Sequence, residues 1–363
     1  MTTKNGKTNK IATKSTTKTQ QLQKIFTEKV KKVAIFIGNP DPDSIGAGLG
    51  MNLFIQRTCG AVCDLIYEGQ VSHPQNKTLL NVLNIHFLNK DEVFGSDHPP
   101  LDEVYDKFVC VDHVPRERWC KELNMTAVID HHKVNYNDSD FVDIRQVGSC
   151  CSIVLSYLLE AEIDFSQDDD GLLSKAVTAM LFGVKTDTLD LMSESVTDLD
   201  FDAYQHLVKY VSRSELEPII NYQLPAYYFD IRRVLEEEGN SITKGSFFVA
   251  GIGIITAARR DCLPMLADER VRMEGISTAI IFAVVDNYVE ASIRSSNPAV
   301  DVNSFCKKVF GRDYAGGKLG AGAAKIPMGI LAIDSLPADL KKEAWETYRK
   351  IIMTKVFRIC DSE

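Results

Sequence analysis

Short apolar runs alternate with amphipathic stretches along most of the chain. Residues 33–37, 61–67, 107–111 and 127–129 form apolar runs of strand length, whereas residues 45–57, 78–83, 148–159 and 172–183 have the spacing of helices. Strands that alternate with helices are typical of a parallel sheet covered by helices. We therefore predict an α/β fold with a mostly parallel sheet in the first half of the chain.

The pattern changes near residue 246. Strands are predicted over residues 247–255, 277–285 and 288–293, and helices over 262–274, 301–310 and 337–357. A loop predicted over 311–329 carries six glycines, at 311, 316, 317, 320, 322 and 329, which let a backbone approach a ligand closely. The predicted divisions are a disordered basic tail (1–24), an α/β domain (25–205), a helical connector (206–240) and a smaller α/β domain (241–363).

Composition narrows the class of protein. The chain has 363 residues, of which 45% are hydrophobic and 25% charged, as in an ordinary globular protein. A net charge of -9 argues against a general nucleic-acid binder, so an anionic substrate would need local metals or arginines. No apolar run approaches the roughly 20 residues of a membrane helix, and the N-terminus lacks a secretory apolar core. Nine cysteines without a metal-binding spacing suit reduced thiols, and we expect a cytoplasmic protein without a membrane partner.

Acidic and histidine side chains follow the apolar runs. They are Asp41 and Asp43, Asp112, the triplet Asp130, His131 and His132, and Asp187. Sites in open α/β sheets form at the carboxyl ends of strands, and carboxylates with one imidazole suit Mn²⁺ or Mg²⁺. Two such ions sharing a carboxylate are typical of phosphoester hydrolysis. Ordinary turns and helix caps would explain the 41–44 loop, His73 and Asn76 equally well. The small residues at 148–152 could hold a phosphate or simply start a helix.

Four of these segments together resemble a known family. GNPDPDS (38–44), VDH (111–113), DHH (130–132) and KTDT (185–188) resemble, in order and spacing, the motifs of the DHH phosphoesterases. RSSN (294–297) and GGKLGAGAA (316–324) resemble the DHHA1 substrate domain of that superfamily. SHPQN (72–76) is similar to the subgroup of nanoRNases and pAp phosphatases. The resemblance spans residues 30–335 approximately.

The resemblance implies a role for each matching residue. One manganese ion would be held by Asp43, Asp112, His131 and Asp187, and a second, weaker one by Asp41 and Asp112. Asp130 would orient His131, and His132 would face the scissile phosphate. The rest of a nucleotide would be bound by Arg294, Ser295, Gly316, Gly317, Lys318, His73 and Asn76.

Two positions depart from the family pattern. Ile37 stands where the family has a metal-binding histidine, a place that Asn39 or a water could fill, and Lys318 stands where it has the histidine of a Gly-Gly-His motif. The resemblance implies a manganese-dependent phosphoesterase acting on short oligonucleotides or a small nucleotide such as pAp. The alternatives are a cyclic-dinucleotide phosphodiesterase and a degenerate nucleotide-binding protein without turnover. Pyrophosphatase is less favoured because the C-terminal half resembles DHHA1. The oligomeric state is open, with a homodimer as one option.

Overall fold

The computed structural model describes residues 16–38, 40–94, 99–115 and 123–360. These residues divide into two compact units. The first runs to Val71 and continues over Gln75–Tyr222, while the second comprises Ser72–Pro74 and the chain from Gln223 onward. The predicted connector 206–240 is thus divided between the two units, and Asn39 lies outside the described residues.

The first unit is built on a parallel sheet, as predicted. Its strands, in spatial order, are β3 (Leu88–Asn89), β2 (Val62–Tyr67), β1 (Lys32–Phe36), β4 (Lys107–Val111), β5 (Ala127–Asp130) and β6 (Phe141–Ile144). Alternate residues of β1 enter two different apolar cores: Val33 and Ile35 enter one, and Ala34 and Phe36 enter the other. Burial on both faces explains why these strands are continuous apolar runs. Of the six, β3 and β6 escaped prediction, because β3 is only two residues long and the apolar residues of β6 are interrupted by Asp143.

Helices cover both faces of this sheet. In the described part of the unit they are α1 (Lys18–Ile25), α2 (Pro42–Cys59), α3 (Pro74–Val82), α4 (Lys90–Val93), α5 (Leu101–Val104), α6 (Cys150–Glu160), α7 (Leu172–Asp187), α8 (Asp198–Leu207) and α9 (Arg213–Ile220). The most apolar of them, α2, α6 and α7, pack on one another in the larger core. None of the helices within the described ranges combines the length and apolar character needed to cross a membrane.

The N-terminal segment corrects one prediction. Disorder was predicted through residue 24, but residues 18–24 belong to α1. Thr17 caps this helix: its hydroxyl accepts from the amide of Gln20, and its own amide donates to the Gln20 side chain, each at 3.2 Å. Leu22 is fully buried in the core of the first unit. The buried side chain of Leu22 and the capping box at Thr17 therefore stabilise α1, a helix that the polar composition of this segment did not indicate.

The second unit has its own, mostly antiparallel sheet. Its spatial order is β11 (Ala315–Lys318), β12 (Ala321–Pro327), β10 (Tyr288–Ser295), β9 (Thr278–Val285), β8 (Phe247–Ile255) and β7 (Ser241–Lys244). Within the described strands of this second sheet, β8 and β9 pair in parallel and the other neighbouring pairs are antiparallel. The helices are α10 (Ala226–Val234), α11 (Cys262–Arg270), α12 (Val302–Phe310) and α13 (Ala338–Cys360), which enclose separate cores on the two faces of the sheet. The predicted α/β class is therefore confirmed for both units.

The glycine-rich segment is a hairpin, and its prediction as a loop was wrong. Gly317 on β11 lies opposite Gly322 on β12. A β-carbon on Gly322 would lie 2.5 Å from Sγ of Cys306 and 2.7 Å from Cγ1 of Val302, both on α12. Only glycine allows the strand to approach the helix so closely. The glycines that suggested an open loop are therefore required by packing in a strand pair.

Candidate metal centre

The first acidic motif lies where the chain leaves β1 and enters α2. Asp41 caps this helix, because its Oδ1 accepts a hydrogen bond from the amide of Ser44 at 2.9 Å. The Asp41 amide in turn donates to the Ser44 hydroxyl at 3.0 Å. Ser44 is thus the third residue of the helix, which begins three residues before the predicted residue 45. The same turn buries Asp43 in the first helical turn, so the cap and the carboxylate site share one segment.

The N-terminus of α6 holds the carboxylate of Asp43. Oδ2 accepts from the amide of Cys150 at 2.7 Å, and Oδ1 accepts from the amide of Cys151 at 3.0 Å and the hydroxyl of Ser149 at 2.5 Å. The positive end of a helix favours a carboxylate at this position. The small residues at 148–152 therefore hold the protein's own acid with the amides that could otherwise have held a phosphate.

The ring of His131 lies among three carboxylates. Its Nε2 atom is 3.2 Å from Oδ1 of Asp112, 3.4 Å from Oδ2 of Asp187 and 3.6 Å from Oδ2 of Asp43. Its Nδ1 atom lies 3.1 Å from the carbonyl oxygen of Val147, a contact that directs Nε2 toward the acids. These acids come from three different helices or strand ends, as the sequence predicted, and the structure brings the four side chains together.

The charge balance of this cluster suits a cation. Burial raises the pKa of Asp112, and the charge of Asp43 raises it further. Burial alone would lower the pKa of His131, but its hydrogen bond to Asp112 and the surrounding carboxylates raise it to about 10. Oδ1 of Asp112 is buried, and Nε2 of His131 lies 3.2 Å from it without the alignment of a full hydrogen bond. The proton on His131 balances part of the negative charge of these acids. Without that proton, the imidazole nitrogen and the carboxylates would form a donor set that accepts a divalent ion.

Asp112 also adopts an unusual backbone conformation. Its φ angle is +60°, in the left-handed region that aspartate and asparagine tolerate better than most residues. The amide of Asp112 donates to the carbonyl of Ile129 on the neighbouring strand at 2.9 Å. Strain of this kind persists where the surrounding structure fixes it and is frequent at functional sites. The turn directs a carboxylate at the end of β4 back toward His131.

Asp130 orients the second histidine of the triplet, and the prediction that it orients the first was wrong. Oδ1 of Asp130 accepts from Nδ1 of His132 at 2.8 Å and from the amides of His131 and His132 at 2.8 and 3.1 Å. Although burial raises the pKa of Asp130, the hydrogen bonds from His132 lower it overall. The ring of His131 is instead directed by the carbonyl of Val147, at 3.1 Å from its Nδ1 atom, although the centroids of the two imidazole rings are only 4.6 Å apart.

The predicted second ion has fewer ligands in this arrangement. Burial raises the pKa of Asp41, and the charge of Asp187 adds to this effect. Among the described residues, two groups have ligand atoms close enough to hold one ion. They are Asp112 with His131 and His132, and Asp43 with His131 and Asp187, and neither group includes Asp41. Ile37 is 1% exposed in the larger core, where a β-carbon on Gly48 would lie 2.7 Å from its Cγ2. It supplies packing, and Asn39 lies outside the described residues.

Comparison with known proteins assigns a family to the first unit. Residues 32–186 match the family described as "DHH family, N-terminal domain". The chain carries a DHH domain. This match runs from β1 to the penultimate residue of α7 and includes Asp43, Asp112 and His131, whereas Asp187 is the residue directly after it.

Relatives extend the similarity beyond the DHH domain. The chain is 31% identical over 334 residues to an uncharacterized protein of Methanocaldococcus jannaschii, covering 90% of this chain and 65% of that protein. It is 26% identical over 175 residues to a probable manganese-dependent inorganic pyrophosphatase of Lactobacillus acidophilus, covering 47% of this chain and 52% of the relative. The chain therefore spans about half to two thirds of the length of these relatives.

A solved structure shares the fold of nearly the whole chain. It is an exopolyphosphatase-related protein from Bacteroides fragilis, with a TM-score of 0.65 and 14% sequence identity. The superposition covers 93% of this chain and 97% of that one. The folds of the first and second units thus occur together in another protein, and at this identity the likeness concerns the fold alone.

Two predicted substrate residues next to the DHH domain have structural partners. Asn76 is buried, and its side-chain amide donates to the carbonyl of Pro40 at 3.0 Å, so it supports the turn before Asp41. His73 belongs to the short segment that joins the second unit. Burial lowers its pKa, while the charges of Asp261 and Asp268 oppose that effect. The structure thus places Asn76 beside the first motif and His73 near acids of the second unit.

A pocket of about 440 Å³ in the second unit collects several of the other predicted residues. Arg294, Gly316, Gly317 and Lys318 line it together with Arg260 and Glu290. Nε of Arg294 donates to Asp268 at 2.7 Å, and its Nη1 donates to the hydroxyl of Ser292 at 3.2 Å. These bonds fix the guanidinium. Ser295 is not among the lining residues, because its side chain pairs with Thr278 at 2.9 Å.

Sequence reasoning missed part of each site. On β10, Glu290 and Ser292 lie four and two residues before Arg294 and line the same pocket. Because every second residue of a strand points to the same face, this spacing could have predicted them. Nε of Arg260 donates to Glu290 at 2.8 Å. In the DHH domain, Ser149 holds Asp43, but nothing in its local sequence distinguishes this role from an ordinary cap.

Proposed function

We propose that this protein is a manganese-dependent phosphoesterase that hydrolyses short oligonucleotides or a small nucleotide such as pAp. The observation that carries the proposal is the convergence of Asp43, Asp112 and Asp187 on Nε2 of His131 within a DHH domain. The charges of closely spaced buried acids need compensation, which protons or a bound cation can supply. An oxygen-rich donor set with one nitrogen suits manganese better than structural zinc, which favours thiolates.

The roles of the metal-binding residues follow from this donor set. Asp43, Asp112, His131 and Asp187 would hold one manganese ion, and Asp41 with Asp112 would hold a second, weaker one. Such ions supply Lewis acidity toward phosphate oxygens and water at neutral pH. The chain's contribution is to hold the acids in place, through the amides of α6 for Asp43 and through the left-handed turn for Asp112.

His132 is suited to proton transfer. Its side chain is 56% exposed, whereas the carboxylate of Asp130 that fixes its Nδ1 is buried. The Nε2 atom of His132 is therefore the ring nitrogen that faces outward to a substrate. We assign to this atom the donation of a proton to the leaving oxygen, for which an oriented histidine is the usual group.

The pocket of the second unit would supply the affinity for a nucleotide. Arg260, Arg294 and Lys318 line it, in a protein of net charge -9, so the positive charge is local. A fixed guanidinium suits a bidentate contact with phosphate, and lysine acts as a point charge. Lys318 thus places a cation where the family pattern has an imidazole. An ammonium group suits phosphate binding, but it cannot accept a hydrogen bond as a neutral imidazole can.

A second candidate substrate is inorganic pyrophosphate, which the name of the Lactobacillus acidophilus relative suggests. That relative matches only 47% of this chain, so the similarity leaves about half of the molecule unaccounted for. The pocket of the second unit has a volume of about 440 Å³, which is more than a pyrophosphate needs. Its size therefore favours a nucleotide. A cyclic dinucleotide or binding without turnover are further outcomes that an assay can separate.

The decisive experiment is a substrate panel with purified protein. Turnover of pAp, linear dinucleotides, cyclic dinucleotides and pyrophosphate is measured with Mn²⁺, with Mg²⁺ and with EDTA. We expect Mn²⁺-dependent release of phosphate or mononucleotide from pAp or the linear dinucleotides, and no turnover in EDTA. Hydrolysis of pyrophosphate alone would contradict the nucleotide substrate and leave the metal centre standing. Nucleotide binding without turnover of any substrate would indicate a binding protein.

A further inference from the structure

We propose that Asp200 is a positioning residue of the metal centre, acting through Ser149 on the carboxylate of Asp43. The inference rests on the proposed function, because it takes Asp43 to be a metal-binding residue. Asp200 lies on α8, and its carboxylate accepts hydrogen bonds from Gly148, Ser149, Ser152 and Thr197.

Asp200 is a fully buried carboxylate with a complete set of donors. Its Oδ2 accepts from the amide of Gly148 at 2.9 Å and from the amide and hydroxyl of Thr197, both at 2.8 Å. Its Oδ1 accepts from the amide of Ser149 at 3.1 Å and the hydroxyl of Ser152 at 2.7 Å. A buried acid bonded in this way fixes the segments that donate to it.

Two acids divide the amides at the start of α6 between them. The amides of Gly148 and Ser149 donate to Asp200, and those of the next two residues, Cys150 and Cys151, donate to Asp43. Ser149 joins the two groups, because its amide donates to Asp200 while its hydroxyl donates to Asp43 at 2.5 Å. The position of the Ser149 peptide thus determines where its hydroxyl holds the Asp43 carboxylate.

The loop has little room to adopt another position. A β-carbon on Gly148 would lie 2.7 Å from Cγ2 of Thr188 and 3.0 Å from Oδ2 of Asp200. Thr188 directly follows Asp187, which is one of the acids around His131. The loop at Gly148 therefore packs beside the segment that carries Asp187. Tight packing transmits a small shift of the loop to its neighbours.

Loss of the Asp200 carboxylate has a defined consequence. The buried amides of Gly148 and Ser149 would lose their acceptor, which is costly in the interior. The adjacent carboxylate of Asp43 is an acceptor that they could reach by a small shift of the loop. Asp43 would then turn away from His131, and the metal centre would lose a ligand without any change in its own residues.

The experiment measures Mn²⁺ binding to the full chain by calorimetric titration, with thermal midpoints recorded without metal. The variants are Asp200→Asn and Ser149→Ala, with Ser149→Thr to restore a hydroxyl. Ser152→Ala removes a different donor from Asp200 and leaves the hydroxyl of Ser149 in place. Asp143→Asn is a control for a buried acid that bonds Arg145 and Tyr157 away from the N-terminus of α6.

We expect Asp200→Asn and Ser149→Ala to weaken the tighter manganese ion by about 10-fold or more, as loss of outer-shell partners of metal ligands does. Ser149→Thr should recover the affinity. Both controls should lower the thermal midpoint without changing Mn²⁺ affinity. If Asp200→Asn does not fold, Ser149→Ala decides alone.

The outcomes separate the two proposals. Mn²⁺ affinities of Asp200→Asn and Ser149→Ala equal to that of the wild type would overturn the positioning role and leave the proposed function standing. An equal loss of affinity in Asp143→Asn would also overturn it, since it would show a general effect of destabilisation. A wild-type protein that binds no Mn²⁺ would overturn both.

Discussion

Oδ1 of Asp130 accepts hydrogen bonds from both the ring and the amide of His132, at 2.8 and 3.1 Å. A carboxylate that is 1% exposed thus anchors an imidazole that is 56% exposed. The arrangement combines access to solvent with a fixed ring orientation. It also separates the two histidines by task, because His131 faces the buried acids and His132 faces outward.

This separation predicts that His132→Gln loses turnover while keeping its metal. Removal of an oriented proton donor typically costs about 10²–10⁴-fold in rate. Mn²⁺ affinity should stay within about twofold of the wild-type value, measured by calorimetry beside the turnover assay, since His131 retains its three acids. Asp130→Asn should lower kcat in the same direction and by less, because the ring remains but is poorly held. Strong loss of metal affinity in His132→Gln would show that His132 is itself a ligand.

A second prediction concerns the acids around His131. We expect Asp112→Asn and Asp187→Asn each to abolish hydrolysis while the protein stays folded. Asparagine is chosen because Asp112 has a φ of +60°, which asparagine tolerates and alanine does not. Circular dichroism and thermal midpoints check the fold. Asp168→Asn is the matched control, an exposed acid that accepts amides of Leu173 and Ser174 at the start of α7. Unchanged turnover in either site variant would exclude the proposed centre.

The ends of apolar runs were the informative signal for this centre. A run such as residues 127–129 shows where a strand ends, and side chains at parallel strand ends meet at one edge of a sheet. Which of two adjacent histidines turns inward depends on the backbone of the turn, so the ring partner of Asp130 was not predictable. The donors of Asp43 and the role of Asp200 depend on packing between distant segments, which a local pattern does not encode.

The third prediction concerns substrate binding in the second unit. We expect Arg294→Ala to raise KM about 10-fold or more with little change in kcat, because a charged hydrogen bond is worth about 1.5–3 kcal/mol and its loss weakens ground and transition states alike. Initial rates over a range of nucleotide concentrations measure both constants. Arg232→Ala is the matched control, since Nε of Arg232 bonds Glu269 at 2.8 Å and lies outside the pocket lining. An equal fall in kcat and kcat/KM would contradict a pure binding role.

The fourth prediction tests why the hairpin contains glycines. Gly322→Ala should destabilise the protein by roughly 1–3 kcal/mol, since its new methyl group would meet Cys306 and Val302 at 2.5–2.7 Å. Gly316→Ala is the control, because the nearest atom to its β-carbon is Oδ1 of Asn303 at 3.7 Å. Denaturant unfolding of both variants gives the comparison. Equal stability of the two would show that the hairpin moves away from α12 at little cost.

The last prediction concerns the proposed metal-binding position beside Ile37. In the proposed centre, isoleucine at this position would leave Asp41 and Asp112 to hold the weaker ion, whereas Asp43, Asp112, His131 and Asp187 would hold the tighter one. We therefore expect two Mn²⁺ ions to bind with clearly different affinities, and activity to rise well after the first has bound, because such hydrolysis uses both ions.

Ile37→His should tighten the weaker ion and raise turnover at low Mn²⁺. The change also has a cost in stability, because Ile37 is buried against Gly48 and an imidazole there brings polar atoms into an apolar core. Ile37→Leu is the control for altered packing and should change the thermal midpoint without tightening the ion. Calorimetric titration of the three proteins decides the matter: two equally tight sites in the wild type would mean that another side chain replaces the histidine, and an unchanged weak site in Ile37→His would show that position 37 cannot direct a side chain to the metal.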